Sequence, residues 1–80
     1  MFLHIGENKS LDRKDIIAIF DMDSATINGT TRNFLKKMQT ENKVKDVSGK
    51  LPKTMILTED TLYLSNISSK TLKERLSRIY

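Results

Sequence analysis

No cysteine occurs among the 80 residues, so the chain has neither a disulfide framework nor a thiolate metal site. Glycine is confined to three positions and proline to one, which leaves little material for linkers. Histidine occurs once, at His4, and no glycine-rich phosphate loop is present. No apolar run approaches the ~20 residues that span a bilayer. The start Met1-Phe2-Leu3-His4-Ile5-Gly6 lacks the basic opening and long apolar middle of a signal peptide. The expected location is cytoplasmic, with no membrane partner.

What is present fits an ordinary globular protein, with 38% hydrophobic and 30% charged residues. Residues 1–80 are read as a single domain. Its size is near the lower end at which one core suffices, so self-association is expected to add stability. The net charge of +4 is moderate, but it is segregated. Residues 32–53 carry Arg32, Lys36, Lys37, Lys43, Lys45, Lys50 and Lys53 against Glu41 and Asp46. The tail from Asn66 adds Lys70, Lys73, Arg75 and Arg78 against Glu74, whereas residues 1–31 and 54–65 are net acidic. Such a distribution suits a polyanion-binding surface, although for Lys36, Lys37 or a tail lysine taken singly a solvated helix face is the better reading.

Phe2-Leu3-His4-Ile5 reads as a short strand, and Gly6-Glu7-Asn8-Lys9 as a turn into a second extended piece around Ser10-Leu11. Ile16 to Phe20 is a continuous β-branched run, expected to be a central strand covered on both faces, followed by a loop over residues 21–29. Phe34, Leu35 and Met38 face inward from a short helix near residues 30–40 whose polar face, with Arg32, Lys36 and Lys37, is basic. A strand over residues 44–47 leads to a loop broken by Gly49 and Pro52. Residues 54–58 and 61–65 form a hairpin about Glu59-Asp60. Leu72, Leu76 and Ile79 share one face of a C-terminal helix that opens on the capping candidates Ser68, Ser69 and Thr71, with Glu74 three beyond Thr71. The fold class is α+β: a small, mostly antiparallel sheet with two helices.

Catalytic constellations are thin. An apolar strand ending in Asp21-Met22-Asp23 resembles the first motif of haloacid-dehalogenase-type phosphatases, in which the first acid attacks phosphorus and the second donates a proton. That chemistry needs a large parallel sheet to gather a hydroxyl, a lysine and further acids, which a chain of this length cannot build, and Ser24 stands where glycine is usual. Asp21 and Asp23 are better read as ending a strand and holding loop backbone. His4, between Leu3 and Ile5, alternates as a sheet-face or interface side chain, and Glu59-Asp60 suits a solvated turn. No catalytic residue, metal site, cofactor or small-molecule substrate is assigned.

Five pieces, taken in order, form a pattern across the whole chain: Phe2-Leu3-His4-Ile5-Gly6; Asp15-Ile16-Ile17-Ala18-Ile19-Phe20-Asp21; Phe34-Leu35-Lys36-Lys37; Pro52-Lys53-Thr54-Met55-Ile56-Leu57-Thr58; and Ser68-Ser69-Lys70-Thr71-Leu72-Lys73-Glu74-Arg75. The pattern resembles the RemA/RemB extracellular matrix regulatory family, and it is closer to the RemB (YaaB-like) branch in its His-Ile-Gly start, Ile-Phe-Asp and Ser-Ser-x-Thr-Leu-Lys tail. The resemblance implies a DNA-binding transcriptional regulator whose protomers form a ring, on an α+β fold similar to LytTR domains. In the RemA branch the genes served are those of the biofilm matrix. The positions matching that family's DNA contacts are Lys14, or Arg13 beside it, Lys50 after Gly49, and Lys53.

Lysine and Leu51-Pro52 stand where the RemA branch is arginine-rich. Lysine cannot make the bidentate fork of arginine, so the expected binding is to the duplex backbone, salt-sensitive and weak in sequence preference. A ring would add avidity. The alternative is a non-catalytic scaffold module in which Leu72, Leu76 and Ile79 pack against another chain. RNA in place of DNA stays open, although an exposed aromatic platform usual for single strands is not expected, since three of Phe2, Phe20, Phe34, Tyr63 and Tyr80 are expected to be buried.

Overall fold

The computed structural model describes residues 2–22, 29–49 and 51–77, with backbone alone at residues 30 and 31. Strands β1 (Phe2–Gly6) and β2 (Lys9–Asp12) form an antiparallel hairpin of their own. A 3-10 turn over Arg13–Asp15 leads into β3 (Ile16–Asp21). Helix α1 (Gly29–Thr40), β4 (Val44–Asp46), β5 (Thr54–Thr58), β6 (Leu62–Ser65) and helix α2 (Ser69–Ser77) complete the order. The fold is α+β, as the sequence indicates.

Two features of the sheet differ from the expectation of one mostly antiparallel sheet. The hairpin β1-β2 is a separate layer, and the second sheet, ordered β3-β5-β6-β4, is mixed because β4 runs parallel to β6. The β4-β6 pair is reached through the hairpin β5-β6, so no helical crossover joins them directly. The second correction concerns β3. It is the terminal strand of its sheet rather than a central one, with Ile17 63% and Phe20 38% exposed. A run of apolar residues identifies a strand but not its neighbours. Asp21, placed in a loop by the sequence, is the last residue of this strand, opposite Thr54.

Alternation along the strands divides the core in two. On one face of the four-stranded sheet, Ile56, Tyr63 and Ile19 pack against Leu3, Ile5 and Leu11 of the hairpin and Leu72 of α2. On the other, Met55, Leu57, Leu62 and Leu64 meet Met38 and Leu35 of α1. Phe34 does not join them and stays 38% exposed, one step round the helix from Leu35. Leu72 is fully buried and Leu76 packs against the same cluster, so α2 covers its own sheet, contrary to the scaffold reading; Ile79 lies outside the described residues.

The helix ends follow ordinary capping chemistry. The Thr71 amide donates to Ser68 Oγ at 3.2 Å, which makes Ser68 the cap of α2 and puts Thr71, not Glu74, three residues beyond it. At the end of α1, Asn42 takes φ 57°, the Asn42 amide donates to the Gln39 carbonyl and the Lys43 amide to the Met38 carbonyl, the bonding of a Schellman stop.

Buried polar side chains join the layers. Ser65, fully buried, donates its hydroxyl to the Ile5 carbonyl and accepts the Ile67 amide at 3.0 Å. Thr54 Oγ1, equally buried, donates to the Ile67 carbonyl at 2.7 Å. Gly6, at φ 152°, lies where a Cβ would run into the Val47 carbonyl, so the hairpin layer meets the loop after β4 backbone to backbone. Two outcomes are expected in urea unfolding. Ser65→Ala removes the hydroxyl partner of the buried Ile5 carbonyl and of the half-buried Ile67 amide and costs about 1–3 kcal/mol. Gly6→Ala is destabilising by more than the ~1 kcal/mol of an ordinary strained glycine site, because strain and a backbone clash coincide.

Candidate nucleic-acid interface

Arg13 and Lys14 owe their position to Asp12. The Asp12 carboxylate accepts the Lys14 amide at 3.2 Å and caps the 3-10 turn, and the Ile16 amide closes it on the Arg13 carbonyl. Lys14 is thereby turned outward with its side chain 79% exposed, Nζ 3.9 Å from Asp12 Oδ2. At that range an exposed pair is weak and leaves the ammonium available to a phosphate. Arg13 is half-buried beside Ile16, Leu76 and Ser77. A groove of about 440 Å³ adjoins Lys14, and its lining also carries Asp15, Glu59 and Asp60, which disfavours an anion inside it.

Lys53 is held at the other end of β3. Its amide donates to the Ser65 carbonyl at 2.8 Å and its carbonyl accepts the Met22 amide at 2.9 Å, which fixes the backbone while the side chain remains exposed. Asp21 pairs with Thr54 and Ile16 with Thr58, so Arg13-Lys14 and Lys53 stand at opposite ends of one strand. Five residue steps separate Ile16 from Asp21, about 17 Å of strand. One protomer therefore does not gather the basic residues named from the sequence into a single cluster. Lys50 lies outside the described residues.

The loop that carries these lysines is anchored at its start. Asp46 Oδ1 accepts the Ser48 hydroxyl at 2.5 Å and the Ser48 amide at 2.8 Å, with Ser48 itself buried. Gly49 then takes φ 76°. Leu51 beyond it is 82% exposed and Pro52 half-buried. The Ser48 hydroxyl, followed by its amide, holds the Asp46 carboxyl below its ordinary value of 3.8 against a small opposing effect of burial.

The remaining candidates carry no site. His4 is exposed and its Nε2 donates to the Glu7 carbonyl at 2.9 Å, so it ties down the β1-β2 turn. Asp21 is exposed on an antiparallel strand, and Asp23 lies outside the described residues. Of the aromatics expected to be buried, only Tyr63 is, among the described residues; Phe2, Phe20 and Phe34 are exposed. Lys9 Nζ sits 5.5 Å from the Tyr63 ring centre. No group of three or more metal-ligating side chains occurs among the described residues. None of the described helices is long and apolar enough to cross a membrane.

Comparison with known proteins bears directly on this arrangement. The family model described as "RemA-like: Extracellular matrix regulatory protein A-like" matches residues 2–76, which takes in both ends of β3 and the loop before β5. The chain belongs to the RemA-like family. It is also 37% identical over 75 residues to extracellular matrix regulatory protein B of Bacillus subtilis (strain 168), covering 94% of this chain and 89% of that protein. A regulatory family fits a molecule in which Asp12, Asp46 and the lone histidine hold turns. Several residues of the pieces quoted from the sequence make structural contacts: Ile5 and Gly6 where the hairpin meets the sheet and the loop after β4, Thr54 at the start of β5, and Ser68 at the cap of α2.

Ser48→Ala should move the Asp46 carboxyl part of the way back up, since the amide bond remains, in a carboxyl titration followed by NMR. The sign for stability follows. A depressed carboxyl stabilises the fold above its unfolded value and loses that contribution as pH falls through its lowered folded value. The stability gap between wild type and Ser48→Ala should therefore be full at neutral pH and close on acidification.

Proposed function

We propose that this protein is a ring-forming, DNA-binding transcriptional regulator, acting on extracellular-matrix genes and binding the duplex backbone through Arg13, Lys14, Lys50 and Lys53. The observation that carries the reading is membership of a regulatory family, extending over residues 2–76, by a chain whose basic residues are segregated from its acidic ones. The exposure of Lys14 at a capped turn and of Lys53 on a doubly bonded backbone supports it: both charges are presented at little cost in backbone ordering. Exposed Lys36, Lys37, Lys43 and Lys45 extend the basic field without requiring specific contacts.

Lysine contacts to phosphate neutralise charge and release counterions, so affinity falls steeply with salt and depends little on sequence. Each contact removed lowers the salt slope by about 1 and weakens all sequences alike. The expected result is that Lys53→Glu and Lys50→Glu weaken binding to unrelated duplexes by similar factors and flatten the dependence of log K on log salt. Unchanged retention of duplex DNA by the doubly reversed chain in a mobility-shift titration would sink the reading.

A further inference from the structure

We infer that Leu51 is an apolar wedge that enters the minor groove of bound duplex DNA and pries open a base step, so that the complex is kinked and favours steps that unstack easily. The inference rests on the DNA-binding reading above and adds to it a contact that is not with a phosphate.

Among the described residues Leu51 is the most exposed large apolar side chain, at 82%, ahead of Phe2 at 71%. A single leucine at a surface is ordinary. What sets this one apart is how it is held. On one side of it, Ser48 is buried and bonded twice to Asp46 Oδ1. Gly49 follows at φ 76°, so close to the hairpin turn that a Cβ there would stand 2.9 Å from Glu7 Oε1. On the other side, Pro52 is half-buried, and the Lys53 amide and carbonyl are bonded to the Ser65 carbonyl and the Met22 amide. The proline also biases the residue before it toward extended backbone. Leu51 is thus carried outward between two fixed points and joins neither core cluster.

The surrounding charge points to a polyanion as the surface that covers it. Lys50 and Lys53 flank Leu51 in the sequence, and Lys53 is exposed. The acids of this region, Glu7 and Asp46, lie at the base of the loop beside Gly49 and Ser48. Proteins that grip the minor groove combine cations with an apolar side chain, leucine among them, that slips between base pairs and bends the duplex toward the major groove. Unstacking costs least at pyrimidine–purine steps such as TA, and most in stiff A-tracts. Lysine contacts to phosphate carry no such preference. The wedge therefore makes affinity depend on sequence through stiffness, with no base edge read.

The probe is a short G·C-rich duplex with one central TA step whose adenine is replaced by 2-aminopurine, a base that brightens on unstacking. A second duplex carries a central run of adenines in place of that step. Wild type should raise the fluorescence severalfold at saturation and bind the TA duplex severalfold more tightly than the adenine-run duplex. Leu51→Ala, at an exposed position and checked for an unchanged melting temperature, should lose both effects. Its log K should still fall with log salt as steeply as in wild type, because no cation has been removed. A wild type that retains duplex but leaves the 2-aminopurine dark overturns the wedge, as does a Leu51→Ala chain that brightens it like wild type, and the regulator reading then stands. A lowered assembled mass for Leu51→Ala in light scattering puts the leucine in a protein contact and overturns the wedge. Failure of wild type to retain either duplex overturns both readings.

Discussion

The hydroxyl of Ser65 is the point on which the arrangement of layers depends. It sits at the end of β6 with no access to solvent, donates to the Ile5 carbonyl of the hairpin strand β1, and accepts the amide of Ile67 on the way into α2. One side chain on β6 thereby bonds backbone groups of two further segments. A buried polar group that is fully paired fixes geometry in a way that apolar contact alone does not. Through the neighbouring carbonyl of Ser65 the same position also holds the Lys53 amide, so the constraint that seats the hairpin on the sheet also sets where the basic loop must end.

That link explains why the candidate interface is divided between rigid backbone and free side chains. Lys14 rides on a turn capped by Asp12, and the loop before Lys53 begins at an Asp46-Ser48 anchor and ends at a doubly bonded residue. Charges that are held this way suit a surface that grips a uniform polyanion, where placement matters more than the identity of any one contact. Reading of individual bases would call for forked donors in a groove, and the lysines here are point charges.

Much of this was legible in the sequence, and the misses share a cause. The hairpin about Glu59-Asp60, the basic face of α1, the serine start of α2 and the family all follow from local spacing or from ordered short motifs. The place of β3 does not. A run such as Ile16 to Phe20 has the same pattern whether its second edge is covered by another strand of its own chain, by another copy, or by water, because periodicity carries no information about neighbours. The expected burial of Phe20 and Phe34 failed for the same reason. The Schellman stop at Asn42 was available to a reading of caps, since asparagine is among the few residues that accept the left-handed region. The separation of Lys14 from Lys53 needed the β3-β5 register, which sequence alone does not supply.

The error over β3 is itself informative about how the molecule is stabilised. β3 reads as central yet is terminal in its sheet, so within the protomer its outer edge has no neighbouring strand among the described residues. The core of a chain this small leaves Ile17 and Phe20 in water, and burying them adds apolar area that the protomer lacks. A solvated edge keeps these two large apolar side chains exposed beside the open side of a sheet, an arrangement that invites indiscriminate pairing unless the edge is covered.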